Sequence, residues 1–317
     1  MKPMSRYFII ALAFLILAAL MRFWIAPALE LLPADYSNAT ALSEEDKFRD
    51  SPTGDWQAST LNTKRVDQTI KTSNQTAIIE GALHVYYATG AVNFEVTSLY
   101  GVDQRTRLNL AGYGSVNRTG QYLFPTHVQP IGYPVWDPFF VGLRQAAFDH
   151  IDIIDGIQVY VFTFNAAGMD ETTGYSYLPD VPEHYLAHTD GQGTIWVEPL
   201  SGFVADYMDS GVSYFVDPST GMRLADFNKW DERYTPETRT AQIALARAAR
   251  LRILALEDWL PGGLLLAGLF FLGLFLFQRK KKGPPRAGTG TTSQVDRPSS
   301  GLETRQVRHT QNIDEEA

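Results

Sequence analysis

The sequence predicts a mainly β extracytoplasmic domain, a curved antiparallel sheet or meander of half-barrel form, between two transmembrane α-helices. Three observations support this prediction. Apolar runs lie near both ends of the 317-residue chain, strand and turn signals fill the region between them, and one strong helix pattern directly precedes the second run. We therefore expect a membrane-anchored β domain with a juxtamembrane helix.

The first apolar run predicts a transmembrane helix over residues 7–26. Residues 7–21, YFIIALAFLILAALM, carry no charge. With Arg22 extending toward the interface, the run reaches the roughly 20 residues that cross a bilayer, and Trp24 is typical of the membrane surface. A cleaved signal peptide is the alternative, because Lys2 and Arg6 precede the run and the small residues APA occupy 26–28.

The second apolar run, LPGGLLLAGLFFLGLFLF at 260–277, predicts a transmembrane helix over residues 259–278. The basic sequence RKKK follows it at 279–282. Because basic residues flank both spans, the chain is predicted to be a two-pass protein of the cytoplasmic membrane, with residues 1–6 and 279–317 in the cytoplasm. Residues 27–258 are then extracytoplasmic, and the tail 279–317 is predicted to be disordered because it has few large apolar residues.

Composition excludes several classes of function. The chain has no cysteine, which excludes disulfides, thiolate nucleophiles and cysteine metal sites, and its formal net charge is −8. Acidic residues also outnumber basic ones between the two spans. This charge disfavours nucleic acid and anionic lipid surfaces as partners, so no nucleic-acid partner is predicted.

The region between the spans divides into a stalk and a β domain. Residues 33–55 are polar and charged without a sustained period, so residues 27–55 predict a stalk or loop, whereas residues 56–234 predict an antiparallel β ectodomain. Residues 76–103 predict a hairpin with a Thr-Gly turn, and residues 151–166 predict another around Asp155-Gly156. Large apolar residues on both faces after Gly156 predict a strand that is buried on both sides.

Two stretches of the β region resemble one another, IWVEPLSGFVADY at 195–207 and FVDPSTGMRLADF at 215–227. In each, a strand leads into an acidic residue, a proline and a Ser/Thr-Gly pair, and then into a second strand. Proline presets the turn and glycine accepts the left-handed conformation, so the copies predict consecutive hairpins of a meander. YGVDQRTR at 100–107 is a weaker third copy. The alternative is a cation site formed by the acidic residues of this region, Glu198, Asp206, Asp217 and Asp226.

Residues 235–258 predict a juxtamembrane helix. Thr235 supplies an N-cap, Pro236 a first-turn proline and Glu237 an early acid. The pattern favours a packed stalk helix that continues toward the membrane, and surface anchoring by its arginines is the alternative. Its apolar stripe is expected to consist of Ile243, Ala246, Leu251 and Leu254.

No catalytic signature emerges, so the sequence predicts a non-enzymatic protein without a cofactor or a metal. His184 and His188 have the i, i+4 spacing of zinc ligands, but prolines precede them and no HExxH motif occurs. Ser115 lacks the GxSxG motif of a nucleophile elbow. An envelope hydrolase is the enzymatic alternative, and it would require acidic side chains that converge in one pocket.

The stretch FPTHVQPIGYPVWDPFF at 124–140 combines prolines and aromatic residues without a clear period. Prolines confine it to a loop or a sheet edge, where its rings must pack against other parts of the chain. It predicts either a lid on the open side of the sheet or a wall of a hydrophobic ligand groove. The groove would be lined by Tyr133, Trp136, Tyr160, Phe162 and Phe164.

Several motifs together resemble a known family. YGVDQRT, GYGSVNRTGQYLFP, YPVWDP, DGIQVYVF and WVEPLSG follow one another between the two apolar runs. With them, residues 22–282 are similar to the PorA-like porin family, a domain-of-unknown-function family of actinobacterial-type cell envelopes. The resemblance implies no catalytic residues. Its porin label implies a channel, which two apolar helices without a polar stripe could form only as an oligomer.

We therefore expect a non-catalytic binding, carrier or structural module of a bacterial cell envelope. Its expected partners are the membrane bilayer and a hydrophobic ligand or an envelope protein, and the bound molecule is a lipid, an envelope glycan or a protein. The sequence leaves the oligomeric state open. The alternatives are an oligomeric channel, as the family label implies, and an envelope hydrolase.

Overall fold

The computed structural model describes residues 6–115, 117–137, 142–172 and 184–281. In this part of the chain, ten antiparallel strands form one sheet. The strands are β1 Ser37–Phe48, β2 Gln57–Ser73, β3 Thr76–Tyr87, β4 Val92–Asp103, β5 Tyr133–Asp137, β6 Gly142–Ile154, β7 Ile157–Asp170, β8 Leu186–Val197, β9 Val204–Val216 and β10 Arg223–Tyr234.

Helical segments precede and follow the sheet. Arg6–Leu29 and Pro236–Lys281 are long and apolar enough to cross a membrane, with mean hydropathies of 2.5 and 2.2 in their most apolar windows. These lengths are compatible with the predicted spans. The helices are α1 Arg6–Leu20, a π-helical turn Met21–Ile25, α2 Ala26–Leu29, α3 Pro236–Leu254, a π-helical turn Ala255–Trp259 and α4 Leu260–Lys281.

α1 and α4 pack against each other side by side. The rings of Phe8 and Phe275 lie 5.3 Å apart, and those of Phe14 and Phe271 lie 5.8 Å apart. Gly268 allows a close approach, because a Cβ there would meet the side chain of Leu15 at 2.9 Å. Many large apolar side chains of both helices remain exposed, as expected of helices that contact lipid.

The spatial order of the strands is β4-β3-β2-β1-β10-β9-β8-β7-β6-β5. Two runs of sequential hairpins, β1 to β4 and β5 to β10, are therefore joined where β1 pairs with β10. Three isolated bridges, Val102 with Asn109, Leu108 with Gln121 and Gln121 with Val135, connect the edge strands β4 and β5 through the intervening loop. The sheet thus curls into a half-barrel with one concave face, as the sequence predicts.

The repeated motif forms the consecutive hairpins β8–β9 and β9–β10, which confirms the meander. In the first turn the Glu198 N–H donates to the oxygen of Phe203, and the Gly202 N–H donates to that of Glu198. Gly202 has φ +74°, in the left-handed region that glycine tolerates. The turn from Asp217 to Met222 repeats both bonds.

The third copy makes the same turn with an arginine in the glycine position. The Asp103 N–H donates to the oxygen of Leu108, and the Arg107 N–H donates to that of Asp103. Arg107 has φ +60°. The hairpin at Asp155-Gly156 is also confirmed, with both residues at positive φ as a type I′ turn requires.

Residues 27–55 are not wholly a stalk or loop, because they contain β1, which lies near the middle of the sheet between β2 and β10. The prediction was wrong since the concave side of this strand is largely polar. Asn38, Thr40, Glu44 and Asp46 alternate with exposed positions, and Leu42 is the buried apolar residue among them. A strand with this pattern shows no hydrophobic period.

β10 is shorter than both of its neighbours at one end. It pairs with β1 only from Leu42 onward and with β9 only from Met208 onward. Residues 37–41 of β1 and 204–207 of β9 therefore have no strand between them, which leaves a gap in the wall of the half-barrel.

α3 fills this gap. It begins with the predicted cap, in which Thr235 Oγ1 accepts the N–H of Thr238. Thr238 Oγ1 in turn accepts the N–H of Ala41 on β1, while Arg239 Nε lies 2.7 Å from Oδ2 of Asp206 on β9. The helix thus replaces part of a strand in the wall.

The apolar stripe of α3 follows the prediction only in its first half. Ile243 and Ala246 are buried, but Leu251 is 47% exposed and Ile253 is buried instead. The helix contacts the sheet along the series 243, 246, 250 and 253, which places residue 251 on the neighbouring side.

The apolar core lies on both faces of β7, as predicted. On the concave face, Phe162 packs against Phe124 with ring centroids 4.9 Å apart. On the other face, Val159 packs with Ala205 of β9 and Ile243 of α3. The loop that begins at residue 124 therefore covers the concave face, although its residues 138–140 lie outside the described part.

Candidate ligand cavity inside the curled sheet

A cavity of about 440 Å³ lies inside the curled sheet. Its wall comes from five parts of the chain: the concave face of the sheet, the loop between β4 and β5, the turn between β8 and β9, α3 with the π-helical turn that follows it, and residues 29–33 at the end of α2 and after it. The strand residues that line this wall include Leu42, Phe164 and Ile195. Because side chains alternate between the two faces of a strand, only every second residue reaches the cavity.

The cavity extends to the ends of the two helical segments, and its wall is largely apolar there. Leu29 and Leu32 line it from the first segment, and Leu245, Ile253 and Leu256 line it from the second. These residues directly adjoin helices that are apolar enough to cross a membrane. The cavity therefore extends toward the predicted bilayer.

A buried ion pair also lines the cavity. Arg65 Nε donates to both carboxylate oxygens of Asp67, at 3.0 and 2.9 Å. Burial lowers the pKa of Arg65, but the Asp67 carboxylate and nearby tyrosines outweigh burial and raise that pKa above its ordinary value. Burial is also the main cause that raises the pKa of Tyr36 and of Tyr234. The hydroxyl groups of Tyr36 and Tyr234 therefore stay neutral, and they lie beside the Arg65–Asp67 ion pair, whose two charges cancel.

Arg107 is a second buried cation in the wall, with 7% of its surface exposed. Its Nη1 donates to the backbone oxygens of Phe124, at 2.8 Å, and Ser201, at 2.7 Å. The side chain therefore links the third turn to the loop and to the first turn. Burial lowers the pKa of Arg107 to about 10, which still leaves it charged at neutral pH.

Two carboxylates and a histidine meet where the helical segments join the sheet. His127 Nε2 lies 3.1 Å from Oε1 of Glu257 and 3.6 Å from Oε2 of Glu30. Arg22 Nη1 lies 3.5 Å from the same Glu257 oxygen. Burial, followed by the adjacent Glu257 carboxyl group, raises the pKa of Glu30.

This trio is the metal-capable group in the part of the chain that the structure describes, since its ligand atoms lie within 4.8 Å of one another. Histidine nitrogen and carboxylate oxygen are ligands that zinc accepts. The close carboxyl groups of Glu30 and Glu257 could equally share a proton. Either chemistry would connect both helical segments to the loop that carries His127.

Two of the five residues predicted to line a groove, Trp136 and Phe164, line this cavity. Tyr133 and Phe162 belong instead to the core beneath it, and Tyr160 packs against that core. The loop therefore packs over the sheet and also forms part of the cavity wall, while ligand binding in a groove there stays a prediction.

Sequence reasoning missed the polar part of the cavity, Tyr36, Arg65 and Asp67, and the contribution of α3. Tyr36 directly precedes β1, and Arg65 and Asp67 lie on β2. The sequence around them has no apolar period, so no local pattern marked these residues. Arg107 did carry a signal, because it stands where the turn repeat has glycine.

The predicted alternative of a cation site in the turn repeat is wrong. Asp217 accepts the N–H of Ser219 in its own turn. The other three acids each pair with a different arginine, which disperses them over the sheet: Glu198 with Arg250, Asp206 with Arg239 and Asp226 with Arg223.

The histidine pair does not form on a helix. His188 lies on β8, and His184 precedes that strand. Ser115 Oγ accepts the N–H of Leu99 at the edge of the sheet. These residues therefore keep the structural roles that the sequence favours.

A family model described as “Porin PorA” matches residues 6–277. No curated protein matches the chain. Among solved structures, a LolA superfamily protein from Nitrosomonas europaea aligns with 71% of this chain and 91% of its own, at 11% sequence identity and a TM-score of 0.13. A TM-score this low supports no conclusion about fold or function.

Proposed function

The chain belongs to the PorA porin family, and on the basis of its cavity we propose that it is a membrane-anchored binding module that holds the apolar part of a lipid. The observation that carries the proposal is the apolar wall that runs from inside the sheet to Leu29, Ile253 and Leu256 at the ends of the helical segments. A volume of about 440 Å³ lies within the roughly 300–1,000 Å³ of ligand pockets.

In this proposal both helical segments cross the cytoplasmic membrane, residues 1–6 and 279–317 are cytoplasmic, and residues 27–258 are extracytoplasmic. Large apolar side chains exposed on both helices support the assignment, because water would not stabilise them. They include Ile9, Leu12, Ile16 and Leu17 on α1 and Leu265, Leu266, Leu269 and Phe270 on α4. A lipid could then enter the cavity from the bilayer without crossing water.

The shape of the site favours a lipid over an envelope glycan or a protein partner. A glycan requires many hydrogen-bonding groups, whereas the Arg65–Asp67 pair is satisfied internally. A protein partner requires an exposed patch, but this apolar surface is concave and lies inside the sheet. Aliphatic chains match a concave apolar wall because they bury area without requiring polar contacts.

We also propose that the protein is not an enzyme. The lining residues in the described part include no histidine or cysteine, so no nucleophile there has a conventional base beside it. Asp67, one of the two carboxylates in the wall, is held by Arg65. A hydrolase would require two free acids that face each other across the cavity.

The channel is the second candidate function, and the family description favours it. Both helices lack a polar stripe, so a conducting pore would have to be formed by several copies. Channel activity would appear as conductance in planar bilayers that persists through purification. Conductance that purification removes would count against it.

Photolabelling of the full chain tests the lipid proposal. Membranes containing the protein are mixed with a diacylglycerol that carries a photoreactive acyl chain, and labelled peptides are mapped by mass spectrometry. Ala249 lines the cavity, so Ala249→Trp fills it, and we expect about ten-fold less labelling. Ala244→Trp is the matched control, because Ala244 is an exposed alanine on the same helix and does not line the cavity.

We expect the photolabel on peptides that contain residues lining the cavity. Labelling confined to α1 and α4, or equal labelling of the Ala249→Trp and Ala244→Trp variants, would show that the probe only samples the bilayer. The lipid-binding proposal would then be wrong.

A further inference from the structure

Arg107 occupies a backbone position at which an arginine is strained. Two sister turns with the same hydrogen bonds have Gly202 and Gly221 in this place, with φ of +74° and +68°. A side chain with a Cβ is disfavoured at positive φ, and Arg107 has φ +60°. The turn therefore does not require arginine, and the side chain itself must account for its presence.

The guanidinium is buried and has no carboxylate at ion-pair distance within the described residues, although the charge of Glu30 acts on it from farther away. It is 7% exposed, and within the described residues no carboxylate oxygen lies within 4.0 Å of it. Two other arginines near the cavity form contact ion pairs, Arg65 with Asp67 and Arg250 with Glu198. A buried guanidinium without such a contact costs free energy, so an anion that enters the cavity would gain a strong partner.

The hydrogen bonds of Arg107 are also incomplete. Nη1 is occupied by the oxygens of Phe124 and Ser201, which fixes the plane of the guanidinium. Nε is buried and has no hydrogen-bond partner. Tyr122, whose backbone N–H donates to the oxygen of Arg107, likewise has a buried hydroxyl without a partner. Both side chains line the cavity.

We propose that the ligand is an anionic lipid whose phosphate-containing head group accepts hydrogen bonds from Arg107 and Tyr122 while its acyl chains occupy the apolar part of the cavity. This inference rests on the proposed lipid-binding function and names the class of lipid. The acidic surface of the protein does not oppose it, because a lipid inside the cavity meets this local cation rather than the summed surface charge. An arginine fork suits phosphate oxygens geometrically.

The experiment compares two photoreactive lipids with the same acyl chains, phosphatidylglycerol and diacylglycerol, on the full chain in neutral vesicles. The proposal expects the wild-type cavity to be labelled about ten-fold more by phosphatidylglycerol. Arg107→Gly and Arg107→Gln should lose this preference while diacylglycerol labelling is retained. Arg107→Gly is informative because it restores the residue of the sister turns and relaxes the backbone.

Arg105→Gln is the matched control. Arg105 lies in the same turn but is exposed and does not line the cavity, so its variant should keep the wild-type preference. Retained labelling by diacylglycerol also shows that the variants at residue 107 remain folded. Inorganic phosphate forms a third arm, and labelling by phosphatidylglycerol should persist in its presence because the acyl chains add to binding.

Three outcomes overturn the inference while the lipid-binding function stands. They are equal labelling of the wild type by the two lipids, an unchanged preference in both Arg107 variants, and displacement of phosphatidylglycerol by inorganic phosphate alone. A parallel loss of both lipids in both Arg107 variants would make Arg107 a structural link only, which also overturns it. Absence of any cavity labelling in the wild type would overturn the proposed function itself.

Discussion

Arg250 Nη1 lies 2.8 Å from Oε1 of Glu198, a carboxylate that is completely buried beneath α3. Glu198 is the acid of the first repeated turn, and it also accepts the N–H groups of Leu200 and Ser201. Its counterpart in the second turn, Asp217, is solvated and meets no arginine of this helix in the described structure. One of two similar turns has thus become the attachment point of the helix.

Replacement of Arg250 should destabilise the fold, because it leaves a buried carboxylate with only backbone donors. We expect Arg250→Met to lower the free energy of unfolding by about 2–4 kcal/mol. Arg247→Met is the control, since Arg247 is exposed and donates to the oxygen of Asp155. It should cost less than about 1 kcal/mol. Chemical unfolding followed by tryptophan fluorescence measures both, and equal losses would contradict the assigned role of the pair.

Stability should fall as pH rises, because half-buried Glu44 and buried Asp46 on β1 hold their protons in the fold. Burial, and then the carboxylates of Asp46 and Asp209, raises the pKa of Glu44 to about 8. Burial raises the pKa of Asp46 to about 6. Both values exceed those of the unfolded chain, about 4, so the folded state binds more protons, and this stability is present below about pH 4 and is lost between about pH 4 and pH 8.

Glu44→Gln should remove most of this dependence. At about pH 8.5 we expect its free energy of unfolding to exceed that of the parent by about 1–3 kcal/mol, less than the full pKa shift because the side chain is partly exposed. At about pH 4, where Glu44 is protonated in both the folded and the unfolded chain for the most part, the two proteins should be similar. Glu45→Gln, on the exposed side of the same strand, should change neither value. A parent protein that gains stability from pH 5 to pH 8.5 would refute the account.

The two turn glycines should differ in their sensitivity to substitution. Both have positive φ, but a Cβ on Gly202 would collide with the backbone oxygens of Pro125 and Phe124, whereas a Cβ on Gly221 meets nothing within 4 Å. Gly221→Ala should cost about 1 kcal/mol through backbone strain alone, and Gly202→Ala about 3 kcal/mol or more. Unfolding midpoints provide the comparison. Similar midpoints for the two variants would mean that the loop does not pack on the first turn.

Single cysteines can test the proposed topology directly, because the chain contains none of its own. Ser219→Cys lies in the exposed turn between β9 and β10, and Lys281→Cys lies at the end of α4. In intact cells a membrane-impermeant maleimide should label the first and not the second. Permeabilised cells should show labelling of both. The reverse pattern would place the sheet in the cytoplasm.

The hairpin turns could be predicted from sequence because their chemistry is local. In the segment 198–202, the acid, the proline and the glycine each perform their task within five residues, and the structure retains all three. The central strand β1 could not be predicted in this way. Its concave side is largely polar, so its place in the sheet depends on pairing with β10, nearly 190 residues later.

The cavity was only partly predictable for the same reason. Aromatic clustering pointed to the loop at residues 124–140 and identified Trp136 and Phe164. It could not separate them from Tyr133 and Phe162, because rings that fill a core and rings that line a cavity have the same composition. Tyr133 and Trp136 lie on β5 and Phe162 and Phe164 on β7, so their separation depends on how these strands pack in the folded sheet.

That gap has a mechanical consequence. The helix that replaces β10 in the wall continues without a break through the π-helical turn into α4, so that one helical rod of 46 residues spans Pro236–Lys281. In the proposed topology the outer half of this rod lies in the bilayer, so a tilt there would shift the inner half, which bonds to β1 and β9, against the sheet. The width of the cavity would then change with the thickness and tension of the surrounding membrane.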